Sequence, residues 1–236
     1  MTFAIRDISV APVEGGGFEV RLNGKALLTP SRAPMRLPAR ELAEAIADEW
    51  RTQKGEVKPA TMPMMQLAAT ALDRIAPQRP AIVDAVAKYA ETDLLCYRAE
   101  GPPALVERQA RVWQPLLDWA ALQYDAPLHV QAGIMPRPQP PEALKALRAA
   151  VEALDDFQLT MLQFACGAMG SLLLALALLE GRIDPTEAFE AAELDATFQI
   201  EQWGEDAEAT RRRASLMADI QSARRFLDLL EGRKSA

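Results

Sequence analysis

FQLTMLQFACGAMGSLLLALALLEG, Phe157 to Gly181, is the stretch on which the fold turns. From Phe157 to Leu179 there are 23 consecutive residues without a charge, enough to cross a bilayer as a helix. Gln158 and Gln163 lie inside the run, however. Asp155-Asp156 and Glu180 flank it, where a span would carry basic clusters or Trp and Tyr anchors. The neighbouring helical segments each carry one apolar stripe that must be buried against something, and a helix apolar all round is what a bundle needs at its centre. Small residues at Cys166, Gly167, Gly170 and Ser171 let neighbours approach closely. The run therefore reads as a buried core helix near 157–180, with no membrane insertion.

The composition agrees. The chain has 236 residues, 50% apolar and 25% charged, with a net charge of -7, as expected of a folded, helix-rich chain. The acidic balance argues against a nucleic-acid binder, which needs a basic field. Arg211-Arg212-Arg213 is the compact basic run, and with acids on both sides it reads as a solvated helix face. Cys96, Cys166 and His129 are too few and too far apart for a disulfide framework or a tetrahedral metal site. The N-terminal MTFAIRDISVAP carries neither a secretory nor a transit signature, which points to a cytoplasmic or already mature chain.

Upstream of the core run the pattern is β. Phe18–Leu22 alternates, Asn23-Gly24 follows, and Lys25–Thr29 runs on; Asn-Gly between two such runs marks a hairpin, because both turn positions need positive φ. Ile5–Val10 and Met35–Leu37 are further strand candidates, ended by prolines. Past Pro38 the period becomes helical. Leu42, Ile46, Glu49 and Trp50 mark one helix, Met62–Ile75 a second that Pro77 and Pro80 should break, and Ile82, Val83, Val86 and Tyr89 a third. DLLCYRAEGPP is a strand-like break, and Ala104–Gln123 is helical with Pro115 as a start or kink. Leu128–Val130 suits a short strand, and Met135–Pro141 a stiff linker. Everything from Glu142 reads as helix, with Asp184-Pro185-Thr186-Glu187 as a capped start. The fold class is α+β. A small β-rich domain over 1–58 ends in one helix, and an α-helical domain follows over 59–236.

Chemistry is hard to place on this chain. Cys96 and His129 are a conceivable nucleophile and base, but no Gly-rich nucleophile turn, phosphate loop or dinucleotide fingerprint accompanies them. The constellation that stands out is LDATFQIEQWGEDAEA, Leu194 to Ala209. Asp195, Gln199 and Trp203 share a helix face there, and Gly204, Glu205, Asp206 and Glu208 follow. An acid, an amide and an indole on one face make a recognition surface. Equally, Trp203 could pack inward with Asp195 as a cap.

Those residues carry a resemblance. LNGKALLTP (Leu22–Pro30), ELAEAIADEW (Glu41–Trp50), TMPMMQLAATALDR (Thr61–Arg74), YAETDLLCYRAEGPPALVERQARVWQPLLDW (Tyr89–Trp119) and the Leu194–Ala209 segment, in this order, resemble the assembly chaperones for the alpha subunit of the F-type ATP synthase catalytic head. The resemblance implies a chaperone without enzymatic activity or cofactor. It would bind the unassembled alpha subunit and keep it from aggregating until the beta subunit replaces it, acting as a monomer in bacterial cytoplasm or, in eukaryotic relatives, the mitochondrial matrix. It places the family's functional acid on Asp195. Asp195, Gln199, Trp203, Gly204, Glu205, Asp206 and Glu208 are then expected at the client surface. Trp50 is expected to anchor the β-rich part, and Asp93, Cys96, Tyr97 and Arg98 to be structural, with Arg98 pairing an acid. The alternative from a different class is a small-molecule enzyme with a cleft between the two domains.

Overall fold

The computed structural model describes residues 7–133 and 137–232. Ile5 and Arg6 of the expected strand and Met135 and Pro136 of the expected linker lie outside the described residues. The fold is α+β: a three-stranded sheet is followed by a larger helical region.

Strands β1 (Ile8–Pro12), β2 (Phe18–Leu22) and β3 (Lys25–Ala26) form an antiparallel sheet in that order. Asn23 and Gly24 take φ of 51° and 79°, the turn that Asn-Gly predicts. The third strand is shorter than its sequence suggested. Past Ala26 the chain folds back on itself, with Leu28 bridging Pro34 and Leu37 bridging Phe18, so Met35–Leu37 forms an isolated contact and not a strand. Strand β1 is one edge of the sheet. Asn23 N–H donates to Asp7 O and Val13 N–H to Gly17 O, so the main-chain polar groups of the odd-numbered residues between them point to β2 and those of Ile8, Val10 and Pro12 point outward. Pro12 offers no N–H, and Arg51 donates to Ile8 O at 3.2 Å; both blunt the edge against stray pairing.

Helix α1 (Arg40–Arg51) packs on β1 and β2 and buries Leu42, Ala43, Ala45, Ile46 and Ala47. Its Glu49 is buried, and both carboxylate oxygens accept 2.8 Å hydrogen bonds, from Met64 N–H and Met65 N–H. These are the free amides at the start of α2 (Pro63–Thr70), whose own Met62 supplies no side-chain cap. A carboxylate at a helix N-terminus also suits the helix dipole. A π-helical turn, Ala71–Ile75, leads into α3 (Ala76–Ala87). Pro77 and Pro80 interrupt the helical path as expected. They leave a kink at Gln78, where φ is -119° and ψ is 20°.

The remaining helices are α4 (Pro103–Tyr124), α5 (Pro141–Glu152), α6 (Asp156–Met169), α7 (Leu172–Leu179), α8 (Pro185–Ala192), α9 (Leu194–Trp203) and α10 (Ala207–Leu230). Strands β4 (Tyr97–Arg98) and β5 (Gln131–Ala132) pair in parallel; β5 starts one residue past the expected Leu128–Val130. Pro115 lies within α4. Asp184 and Glu187 form the reciprocal capping box at the start of α8. Two compact units emerge, one of residues 7–79, 156–161 and 222–232, the other of 80–155 and 162–221.

The apolar run is two helices where one was expected. Gly170 adopts a φ of 68°, ending α6, and Ser171 caps α7 by accepting from Leu174 N–H at 3.0 Å. Every residue from Leu172 to Leu178 is buried. Among the described residues no helix is long and apolar enough to cross a membrane.

Candidate functional site

The segment singled out by sequence folds as α9, a turn, and the start of α10. Helix α9 is fastened to α4 at two adjacent residues. Arg108 donates two hydrogen bonds to Glu201, at 2.9 and 2.8 Å, and lies 5.4 Å above the Phe198 ring. Gln109, 1% exposed, donates to Asp195 Oδ1 at 2.7 Å. Asp195 is thus neither a cap nor freely solvated: it is partly buried at the α4 seam.

A four-residue step along a helix advances about 40°, so Gln199 and Trp203 rotate progressively out of that seam. Gln199 is exposed, and the Trp203 side chain is 80% exposed, which rules out inward packing. Gly204 follows with a φ of 85° and ends α9. Asp206 then caps α10, accepting from Glu208 N–H at 2.9 Å and Ala209 N–H at 2.8 Å. Glu205 reaches Arg213 at 3.3 Å. Gly204, Glu205, Asp206 and Glu208 are all exposed.

The sequence reading missed the anchor of this corner. Buried Glu193, at the junction of α8 and α9, accepts from Arg212 at 2.9 and 2.7 Å and from Arg213 at 2.9 Å. Arg213 also lies 4.9 Å above Phe189. Of the basic run, Arg211 stays solvated while Arg212 and Arg213 latch α10 in place. The i, i+19 spacing from Glu193 carries no local signal.

The other expected residues sit elsewhere. Asp93 and Cys96 are fully buried. Arg98 makes no ion pair among the described residues, contrary to expectation. One terminal nitrogen donates to Gln109 O at 2.7 Å, its guanidinium lies 5.2 Å above Trp113, and its other two nitrogens are buried without partners. Burial pulls this guanidinium below its ordinary value. Tyr97 pairs with Gln131 in the β4–β5 ladder. Trp50 lines a cavity of about 570 Å³ with Leu22, Leu27, Leu28 and Val57, its indole N–H buried without a partner.

That cavity contains neither Cys96 nor His129. Burial, reinforced by the charge of Asp93, pushes the Cys96 thiol up to about 12, which keeps it protonated and poorly nucleophilic. His129 Nδ1 lies 3.2 Å from Pro138 O. Among the described residues, no three His, Cys, Asp or Glu side chains gather as a metal site would require. What the α9–α10 corner offers is an exposed aromatic beside acids.

Comparison with known proteins points to a chaperone. The family model described as ATP12 chaperone protein matches residues 5–121. The chain is 25% identical over 213 residues to the protein atp12, mitochondrial, of Schizosaccharomyces pombe, covering 83% of this chain and 72% of that one. It is 41% identical to Atp12 from Paracoccus denitrificans, whose crystal structure superposes with a TM-score of 0.92 over 97% of this chain and 98% of that one. A protein from Agrobacterium tumefaciens is likewise 41% identical, with a TM-score of 0.90 over 95% and 84% of the two chains.

Proposed function

Because the chain belongs to the ATP12 chaperone family, which serves ATP synthase assembly, we propose that it binds the unassembled alpha subunit at the α9–α10 corner and shields it until the beta subunit takes its place. An isolated alpha subunit exposes an interface that its partner normally covers, and such patches self-associate. A chaperone for it needs a surface that binds apolar area reversibly, and it catalyses no reaction.

The observation that carries this reading is the exposure of Trp203. A monomeric protein gains nothing by holding an indole in water, and exposed tryptophans backed by a rigid frame are typical interface anchors. Gln199 supplies amide groups on the same side, and Glu205, Asp206 and Glu208 supply an acidic rim. The chain acts as a monomer in this reading, since one copy suffices to cover one client.

The test is co-expression with the alpha subunit from the same source, followed by size-exclusion chromatography. The wild-type chain should elute with alpha as a one-to-one complex that dissolves on adding beta. Trp203→Ala should leave alpha in the insoluble fraction while the variant itself stays folded. Retention of the complex by Trp203→Ala would move the client surface elsewhere on the protein.

A further inference from the structure

Asp195 holds a carboxylate that its own fold only half uses. Oδ1 accepts from Gln109 Nε2 at 2.7 Å. Oδ2 has no hydrogen bond among the described residues, and Asp195 forms no ion pair there. Of the nearby cations, Arg108 is engaged by Glu201, while Arg98 acts on Asp195 through its charge, makes no hydrogen bond to it and keeps two nitrogens without partners. A charged oxygen that no donor of the fold bonds among the described residues invites one from outside, preferably cationic.

Gln109 decides how that oxygen is presented. Its Oε1 accepts from Ala99 N–H at 2.8 Å, and that amide cannot reverse roles. The side-chain NH₂ must then face Asp195; a flipped amide would set donor against donor at Ala99 and oxygen against carboxylate at Asp195. The Gln109 main chain is itself held by Arg98, and its side chain is walled in. Sequence spacing could not show this, because Gln109 and Asp195 are 86 residues apart.

We infer that Gln109 is a positioning residue, fixing the Asp195 carboxylate so that its second oxygen receives a lysine or arginine side chain of the client. The inference rests on the reading of the α9–α10 corner as the client surface. It adds to that reading the chemistry of the contact and the residue that sets its geometry.

The experiment measures how much chaperone halves the light scattering of alpha subunit diluted from denaturant, at low and at high salt. Wild type, Gln109→Leu, Gln109→Glu, Asp195→Asn, Trp203→Ala and the double variant Gln109→Leu/Asp195→Asn are compared, each checked for fold by near-ultraviolet circular dichroism. Gln109→Glu still accepts from Ala99 N–H but sets a like charge against Asp195, so it serves if the leucine variant does not fold. Both Gln109 variants should need roughly tenfold more protein at low salt and should lose most of the salt dependence, as Asp195→Asn does. The double variant should be no weaker than Asp195→Asn alone, since the two residues act through one contact. A merely structural Gln109 would not flatten the salt dependence. Folded Gln109 variants that protect as wild type does, while Asp195→Asn fails, would overturn the positioning role and leave the surface reading intact. Asp195→Asn protecting with an unchanged salt slope would overturn the cationic contact, and so would loss of fold in both Gln109 variants overturn the positioning role. Full protection by Trp203→Ala would instead sink the surface reading itself.

Discussion

Ser171 donates a 2.7 Å hydrogen bond to Asp93 across 78 residues of sequence, and that bond sits where the longest apolar run of the chain breaks in two. Asp93 Oδ1 also accepts from Leu95 N–H and Oδ2 from Leu173 N–H, both at 3.1 Å. One fully buried carboxylate thus serves the starts of two helical segments, the 3-10 turn Leu94–Cys96 and α7. Its donors satisfy what burial would otherwise leave unpaired.

Removing it should be costly. Asp93→Ala strands several buried donors, and a loss of roughly 3 kcal/mol is expected in urea unfolding. Burial raises the Asp93 pKa above its ordinary 3.8. The folded state therefore prefers the protonated acid, so this contribution is complete below 3.8 and is lost as pH rises through the folded-state value. The stability of wild type relative to Asp93→Asn, which does not ionise, should accordingly fall across that interval and then level off. A difference that does not vary with pH would contradict this assignment.

Ser171→Ala removes both the cap of α7 and one donor to Asp93, and should cost about 1–2 kcal/mol. Gly170→Ala meets no atom within 4 Å, so its cost is the strain of a positive φ, about 1 kcal/mol. If chemical denaturation shows Gly170→Ala to be as stable as wild type, the α6–α7 break does not depend on that conformation.

Glu49 should behave as a cap from a distance. Glu49→Ala leaves Met64 N–H and Met65 N–H without their acceptor and is expected to lower stability by roughly 2 kcal/mol. Glu49→Gln keeps one acceptor oxygen and should fall between the two. Equal losses for both variants would mean that the charge, and not the hydrogen bonds, carries the effect.

Trp203→Ala should change stability by less than about 0.5 kcal/mol, because so little of the indole is buried. In a variant that keeps Trp203 as its sole tryptophan, fluorescence should be quenched readily by acrylamide in the free protein and poorly once alpha subunit is added. Quenching that is unaffected by alpha would place Trp203 outside the contact.

The thiols give a check on the enzymatic alternative. Cys96 and Cys166 are both buried; burial and the Asp93 charge raise Cys96 to about 12 and Cys166 well above its ordinary value. Neither should react with iodoacetamide until denaturant is added, and Cys96→Ser should retain full chaperone activity. Rapid labelling of Cys96 in the native protein would revive a nucleophilic role.

Local patterns carried much of the fold. Asn23-Gly24 specified a hairpin because only certain residues take positive φ, and Asp184 with Glu187 specified a helix start because their partners lie within four residues. The stripe of α1 was readable because burial on one helix face repeats every three or four positions. Asp195, Gln199 and Trp203 stood out as one helix face for the same reason, although the fold draws Asp195 to the α4 seam and leaves Gln199 and Trp203 exposed. The break at Gly170 was less readable, since a glycine inside an apolar run is as compatible with close packing as with a stop. Tertiary structure decided that case through Asp93, which reaches the new helix start from far upstream. The same holds for Glu49 capping α2, Glu193 holding Arg212 and Arg213, and Gln109 holding Asp195. Sequence periodicity determines which face of an element is buried, because that depends on backbone geometry a few residues long. Which buried polar group meets which depends on how separate elements pack, and only the folded chain brings those groups within hydrogen-bond distance.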